Sequence, residues 1–254
     1  MRLRERRLEL PGLPAELEGL RIAHLSDFHL GVPSRGEHAV RRAVDWVEAR
    51  QPDLTCVTGD LLTRPGGEPL LRELVARLPR CFVVLGNHDF GDATDPFSEP
   101  TPLDALPPAT LLADESQTLE LRGRRVQVAG LDPRTARGAG RWPEPDVDAD
   151  LRILLCHFPR VVERLRPGDW HVVLAGHMHA GQIVLPWVTG RLHLAHPGAR
   201  YTEGVYRQHG AVLHVSPGLG TTFVPFRFFA RPEVTELQLV SRSASLATTT
   251  PGGS

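Results

Sequence analysis

Five short apolar runs each end in residues able to bind a metal, and that repetition constrains this chain more than any other feature. Residues 21–26 lead into Asp27-Phe28-His29, 54–58 into Gly59-Asp60, and 81–85 into Gly86-Asn87-His88-Asp89. Residues 151–156 lead into His157, and 172–175 into Gly176-His177-Met178-His179. Short apolar runs bounded by Gly, Asp or Asn read as buried strands. In sheets built by alternating strands and helices, ligands bind beyond the carboxyl ends of the strands. Five consecutive strand ends would therefore carry Asp, His and Asn to one edge of the fold.

The segments between these runs fit that reading. Val40, Ala43, Val44 and Val47 recur at helical spacing, so 37–50 is expected to be an amphipathic helix, stopped by Pro52. Leu70, Leu71, Leu74, Val75 and Leu78 predict a second helix over 68–78. Strands alternating with helices imply a parallel βαβ start. The middle changes character. Gly123-Arg124 between 118–121 and 125–129 predicts a hairpin, and a helix is expected at 159–166. The last third reads as strands at 182–185, 211–216 and 233–240. An α/β fold follows, with two mixed sheets packed face to face and helices outside.

A chain of 254 residues can bury one large α/β core and is short for two full domains. We read residues 1–240 as a single domain without internal repeats, and the Ser-, Thr- and Gly-rich 241–254 as a disordered tail. The net charge is −1, so no basic field recruits nucleic acid. All 29 cations are arginine, which we take as codon bias. Cys56, Cys81 and Cys156 sit in apolar runs and are expected to be buried thiols. No apolar stretch reaches the roughly 18 residues of a membrane span, and no secretory signal follows the basic start. The expected location is the cytoplasm, with peripheral contact at the inner membrane face left open. The sequence does not fix the oligomeric state.

The ligand types suit divalent transition metals. Imidazole favours Zn, Fe, Mn or Ni, and carboxylate or amide oxygen favours harder ions such as Mn. Asp27, His29, Asp60, Asn87, His157, His177 and His179 are more ligands than one ion takes, and a carboxylate can bridge two ions. The expected cofactor is a pair of divalent ions, manganese first, with iron or zinc as alternatives. A lone His-x-His pair or a lone Gly-Asp carries little information; the ordered set is specific.

In order, these residues resemble the five motifs of the calcineurin-like metallophosphoesterases, over roughly residues 20–240. The resemblance implies a four-layer α/β/β/α sandwich with a dinuclear site between the sheets. It implies that Asp27, His29 and His179 bind one metal, that Asn87, His157 and His177 bind the other, and that Asp60 bridges them. His88 would contact the phosphate and protonate the leaving oxygen, with Asp89 orienting it. The implied activity is phosphoester hydrolysis, of a phosphodiester or pyrophosphate, with a phosphomonoesterase or a non-catalytic metal-binding scaffold as alternatives. Gly86-Asn87-His88-Asp89 lacks the preceding arginine that protein phosphatases carry.

A narrower likeness is to the YkuE/YaeI-type phosphodiesterase branch. It rests on His179-Ala180-Gly181-Gln182-Ile183, Gly198-Ala199-Arg200-Tyr201, Gly204-Val205-Tyr206, the run 215–220 and Arg231-Pro232-Glu233. That branch includes pyrophosphatases acting on UDP-2,3-diacylglucosamine, so a lipid-linked substrate is implied. Met178 and Ala180 depart from the branch's usual residues, and Pro217 stands where it commonly has arginine or asparagine, removing that phosphate contact. Phe223, Phe226, Phe228 and Phe229 could form an acyl-binding or membrane-contacting patch, but core packing before the last strand is the preferred reading. The arginines at 2, 4, 6 and 7 read as a solvated strand end, and His24 as packed in its strand. Trp187 is read as either packed or exposed near the site. His193 and His196 border it without an assigned role, and His38, His171, His209 and His214 read as ordinary residues.

Overall fold

The computed structural model describes residues 1–32, 36–92, 95–101, 103–138, 140–187, 190–194 and 198–242. The proposed tail from 243 onward, His196, and the side chains of Trp187 and His193 lie outside that description. Two six-stranded sheets carry the fold. The first contains β1 (Arg2–Leu10), β2 (Arg21–Leu25), β3 (Leu54–Thr58), β4 (Cys81–Val84) and β5 (Thr110–Leu111), with the last strand, β14 (Glu233–Ser241), inserted between β1 and β2. The second runs in the order β12 (Gly204–Gln208), β13 (Ala211–Val215), β9 (Val172–Ala175), β8 (Leu151–Leu155), β7 (Arg124–Gly130) and β6 (Glu115–Leu121). A small hairpin, β10 (Val184–Trp187) and β11 (Gly190–His193), stands apart.

Both sheets are mixed. β2, β3, β4 and β5 are parallel, and β14 runs antiparallel to β2. In the second sheet β7, β8, β9 and β13 are parallel and the two edge strands antiparallel. Leu8, Ile22, Leu54 and Phe82 from one sheet meet Val126, Leu151, Ile153, Val172 and Leu174 from the other in one apolar core. Helix α1 (Gly36–Arg50) covers the first sheet with Ala39, Val40, Ala43, Val44 and Val47, the stripe that a 3.6-residue period lays on one face. Helix α2 (Glu68–Val75) adds Leu71, Leu74 and Val75. The outer face of the second sheet is covered more thinly, by the 3-10 turn Pro159–Arg164 and the short helix α3 (Pro133–Arg137). The expected α/β/β/α sandwich is therefore present.

Several boundaries differ from expectation for local reasons. The expected helix at 159–166 closes as a 3-10 turn, hemmed in by Pro159 and Pro167. The strand expected from 182 starts at Val184, because Gln182 has φ 43°, outside any strand geometry. The arginines at the start lie on β1, where Arg2 and Arg4 pair with Glu233 of β14. The three cysteines are buried and unpaired.

One polar feature crosses the apolar space between the sheets. His24 Nδ1 of β2 lies 2.7 Å from His214 Nδ1 of β13. His24 Nε2 is 2.9 Å from the Thr58 hydroxyl, which donates to Ser26 Oγ, and Ser26 in turn donates to the Thr58 carbonyl. This leaves one consistent proton arrangement: Nε2–H on His24, with His214 donating through Nδ1. His214 is thus a buried partner and not an ordinary residue, and its Nε2 has no described partner.

Burial lowers the pKa of His24 to about 3 and that of His214 well below the ordinary value. The unfolded chain binds these protons near pH 6.5. The stabilisation is therefore full above that pH and declines as pH falls toward the folded values. From His24 alone, about 2 kcal/mol of stability should be lost between pH 6.5 and 5. Thermal melts across that range should show a steeper decline for the wild type than for His24→Leu/His214→Leu. Equal slopes would contradict the assignment.

Candidate metal centre

The carboxyl ends of β2, β3 and β4 in one sheet and of β8 and β9 in the other open at the same edge. Past these ends the chain reverses sharply. Asp27, His29, Asp60, His177 and His179 all have φ between 48° and 72°. A left-handed non-glycine residue costs on the order of 1 kcal/mol or more, and such residues gather at functional sites. Five of the seven expected ligands carry this strain. Backbone bonds hold it in place: Asp27 N–H donates to Gly59 O, His29 N–H to Asp60 O, and Gly176 N–H to His157 O.

Two groups of ligand atoms result. Asp27, His29, Asp60 and His179 bring one atom each within 4.8 Å of one another, and Asp60, His157 and His177 do the same. Asp60 belongs to both. Its Oδ1 accepts from the His88 backbone N–H at 2.9 Å, which aims Oδ2 at His157 Nε2 (3.2 Å) and His29 Nε2 (3.6 Å). His29 Nε2 and His179 Nε2 are 3.0 Å apart, His179 Nε2 lies 3.4 Å from Asp27 Oδ1, and His177 Nδ1 lies 3.2 Å from His157 Nε2.

The far nitrogens of two of these rings, His157 and His29, are held as ligand histidines require. His157 Nδ1 donates to the Thr58 carbonyl at 2.8 Å, and His29 Nδ1 faces the Thr63 hydroxyl at 3.2 Å. Burial opposes the charge of Asp60, but the rings of His157, His88 and His29 beside it together hold the carboxyl well below the usual range. Burial pushes Asp27 up to about 6.

The donor set fits a pair of divalent cations by an observation independent of motif. The buried Asn87 Oδ1 has no described hydrogen-bond partner, while its Nδ2 donates to Asp92 O at 3.1 Å. An orphaned amide oxygen in such a cluster is what a cation would satisfy. Close approach also explains two glycines. A Cβ on Gly86 would run into the Asp60 nitrogen and carboxylate, and one on Gly176 would strike Ser26 Oγ and come within 2.6 Å of Asp27 Oδ2.

Asp89 departs from the expected role. Its Oδ1 accepts from Leu61 and Leu62 N–H and its Oδ2 from Gly86 N–H, at 2.8–3.0 Å. None of its described contacts reaches the His88 ring. With its oxygens taken up by backbone donors, Asp89 braces the β3 and β4 loops against each other. His88 packs edge-on against His29, its Nε2 is 3.9 Å from Asp60 Oδ2, and its buried Nδ1 has no described partner.

Arg227 was not foreseen, because it stands inside the phenylalanine run. It donates through Nη2 to His179 Nδ1 (2.9 Å), through Nε to Gly220 O, and through Nη1 to the carbonyls of His179 and Pro217. A guanidinium therefore does reach the place beside Pro217, spent on backbone and on His179. The phenylalanine run itself is a correction. Phe223, Phe226, Phe228 and Phe229 are 46–57% exposed, so they are not core. The loop is fastened by polar contacts, Gln182 with Thr222 and Val224, Asp95 with Phe223 N–H, and Arg227, which leaves the phenyl rings outward.

Asp60, His88, His177 and His179 line a cavity of about 360 Å³ whose other wall is Ile183, Leu194, Phe223 and Val224. Thr222, Phe223 and Val224 also wall a neighbouring recess of about 330 Å³ with Val32, Phe97 and Pro225.

The family model for calcineurin-like phosphoesterases matches residues 20–181. The chain is 30% identical over 246 residues to the uncharacterized metallophosphoesterase YkuE of Bacillus subtilis, covering 90% of this chain and 82% of that protein. It is 28% identical over 292 residues to the UDP-2,3-diacylglucosamine pyrophosphatase LpxG of Chlamydia muridarum, covering 89% and 85%. It is 27% identical over 197 residues to the phosphodiesterase YaeI of Escherichia coli, covering 75% and 72%.

Replacing Gly86 by alanine should displace Asp60 and weaken metal binding about 10–100-fold, the range seen when ligand-supporting groups are lost. Metal content after dialysis at limiting free Mn²⁺ measures it, and full occupancy in Gly86→Ala would refute the close-approach argument.

Proposed function

This chain belongs to the calcineurin-like phosphoesterase family, and on that premise we propose that it hydrolyses phosphodiester or pyrophosphate bonds using two divalent ions, manganese by preference. The observation that carries the reading is Asp60, whose Oδ2 faces both ligand groups while Oδ1 is tied to the protein. Asp27, His29 and His179 would hold one ion with Asp60, and Asn87, His157 and His177 the other. When bound, such ions supply Lewis acidity to the phosphoryl oxygens and lower the pKa of a water molecule.

The chain's own residues do the rest. Thr58 O and the Thr63 hydroxyl fix the His157 and His29 rings, so the cluster does not reorganise during the reaction. His88 faces the cavity from the Asp60 side and would donate a proton to the departing oxygen. The apolar wall formed by Ile183, Leu194, Phe223 and Val224 excludes water and suits an ester with an apolar group attached. Two relatives bear names of phosphodiesterase or pyrophosphatase, which supports these bond types.

With Mn²⁺ the protein should cleave bis-p-nitrophenyl phosphate in preference to p-nitrophenyl phosphate, and a panel adding cyclic nucleotides and a UDP-diacyl sugar would narrow the substrate. Activity confined to the monoester would overturn the diesterase reading. His88→Ala should lose about 10²–10⁴-fold in kcat while retaining its metal, as measured by elemental analysis. Loss of metal along with activity would make His88 a ligand instead.

A further inference from the structure

On the His177 side of the metal centre a second groove, of about 800 Å³, opens beside Phe158 and is lined by Arg137, Arg160 and Arg164. Among its described lining residues the one carboxylate is Glu163. Resting on the phosphohydrolase reading above, we propose that this groove is a second anion subsite, taking a further phosphate of the substrate a few bonds from the scissile phosphorus.

The coupling to the metal centre is direct. Phe158 follows the ligand His157, and its ring stands edge-on to His177 with centroids 4.8 Å apart. The Arg137 guanidinium lies over the same Phe158 ring, 4.4 Å from its centroid. The same short turn, Pro159–Arg164, that leaves His157 carries Arg160 and Arg164. The cations are therefore placed by the segment that places a ligand.

The arginines also keep donors to spend. Arg137 donates one described bond, to Asp92, Arg160 two long ones to Glu163, and Arg164 one to the Ala136 carbonyl. Each guanidinium has five N–H donors, so three or more remain on each. Arg137 and Arg160 are each paired with one carboxylate, Asp92 and Glu163, whereas Arg77 holds Asp45 and Glu48 and Arg124 holds Glu16 and Asp150. Arg164 has no carboxylate among its described partners and is instead stacked over Trp142. Planar forks of donors match phosphate oxygens in pairs, and a groove where three guanidiniums face one carboxylate carries a net positive field. On the Phe223 side the cavity walls are apolar, so the site discriminates between its two sides.

The test compares inhibition of Mn²⁺-dependent bis-p-nitrophenyl phosphate hydrolysis by ADP, AMP and adenosine, with free Mn²⁺ held in excess. ADP should inhibit about tenfold more tightly than AMP, the equivalent of one further charge-assisted phosphate contact. In Arg160→Gln/Arg164→Gln that ratio should fall to about one, and Arg160→Lys/Arg164→Lys should restore part of it. Arg207→Gln, on β12 and paired with Glu9, serves as the control for general charge loss. A wild-type ratio near one, or a ratio that survives the double substitution, overturns the subsite while leaving the hydrolase reading intact. An oligonucleotide that inhibits as strongly as ADP at equal phosphate would also overturn it, in favour of nucleic acid. If no hydrolysis occurs with Mn²⁺, the hydrolase reading fails. Equilibrium dialysis then decides the subsite separately, by whether the protein prefers ADP to adenosine.

Discussion

The position of one carboxylate governs the rest of this molecule. Asp60 is almost completely buried, and an ionised carboxylate there is costly unless its lone pairs are met. Its neighbours meet them unequally. A backbone N–H from the β4 loop takes Oδ1, and three imidazoles converge on Oδ2. That asymmetry requires β3 and β4 to be adjacent, parallel and in register, so that the Gly86 loop passes over Asp60. It also requires β8 of the other sheet to end within reach. The face-to-face packing of the sheets is thus tied to a single charged group, and within the first sheet Asp89 holds the β3 and β4 loops together by accepting backbone N–H groups from both.

The buried polar ladder from His214 through His24 and Thr58 to Ser26 serves the same geometry from below. Each member is hydrogen-bonded, and the ladder joins β13 of one sheet to β2 and β3 of the other. A buried polar network of this kind, with His214 Nε2 its one unpartnered atom among those described, favours one mutual position of two sheets, which an all-aliphatic interface would leave freer to slide. It ends at Ser26, beside the candidate ligand Asp27, and Ser26 Oγ is also an atom that keeps Gly176 from bearing a side chain. Packing between the sheets and geometry at the site are therefore set by one chain of contacts.

The clustering of the candidate ligands was legible in the sequence because they lie on the continuation of buried strands, where a short apolar run passes into a polar end. Helix α1 and strands β3 and β9 were equally plain, since one face of each is fully buried and periodicity reports burial directly. Asp89 was misread because a motif records which residues are adjacent, not which donors surround a carboxylate. Arg227 and His214 escaped for a related reason: their partners are 48 and 190 residues away, and no local pattern marks such a pairing. The phenylalanine run has the composition of a strand but is held by polar contacts at its backbone, so hydrophobicity alone pointed it inward.

This division between strand ends and loops has a mechanical consequence. Left-handed φ values at five candidate ligands are tolerated because flanking strands, themselves packed on both faces, over-determine the backbone there. Atoms so constrained cannot adapt to different substrates. The walls beyond them are of another kind: the side formed by Gln182, Ile183 and Leu194, the Gly220–Ala230 loop and the turn that carries Arg160 and Arg164 lie outside the two six-stranded sheets. Changes in those walls alter what is admitted without disturbing the carboxylate that holds the centre together. The arginines stand on one such wall and the exposed phenylalanines on another, so opposite chemical preferences can flank one rigid centre at little cost to its geometry.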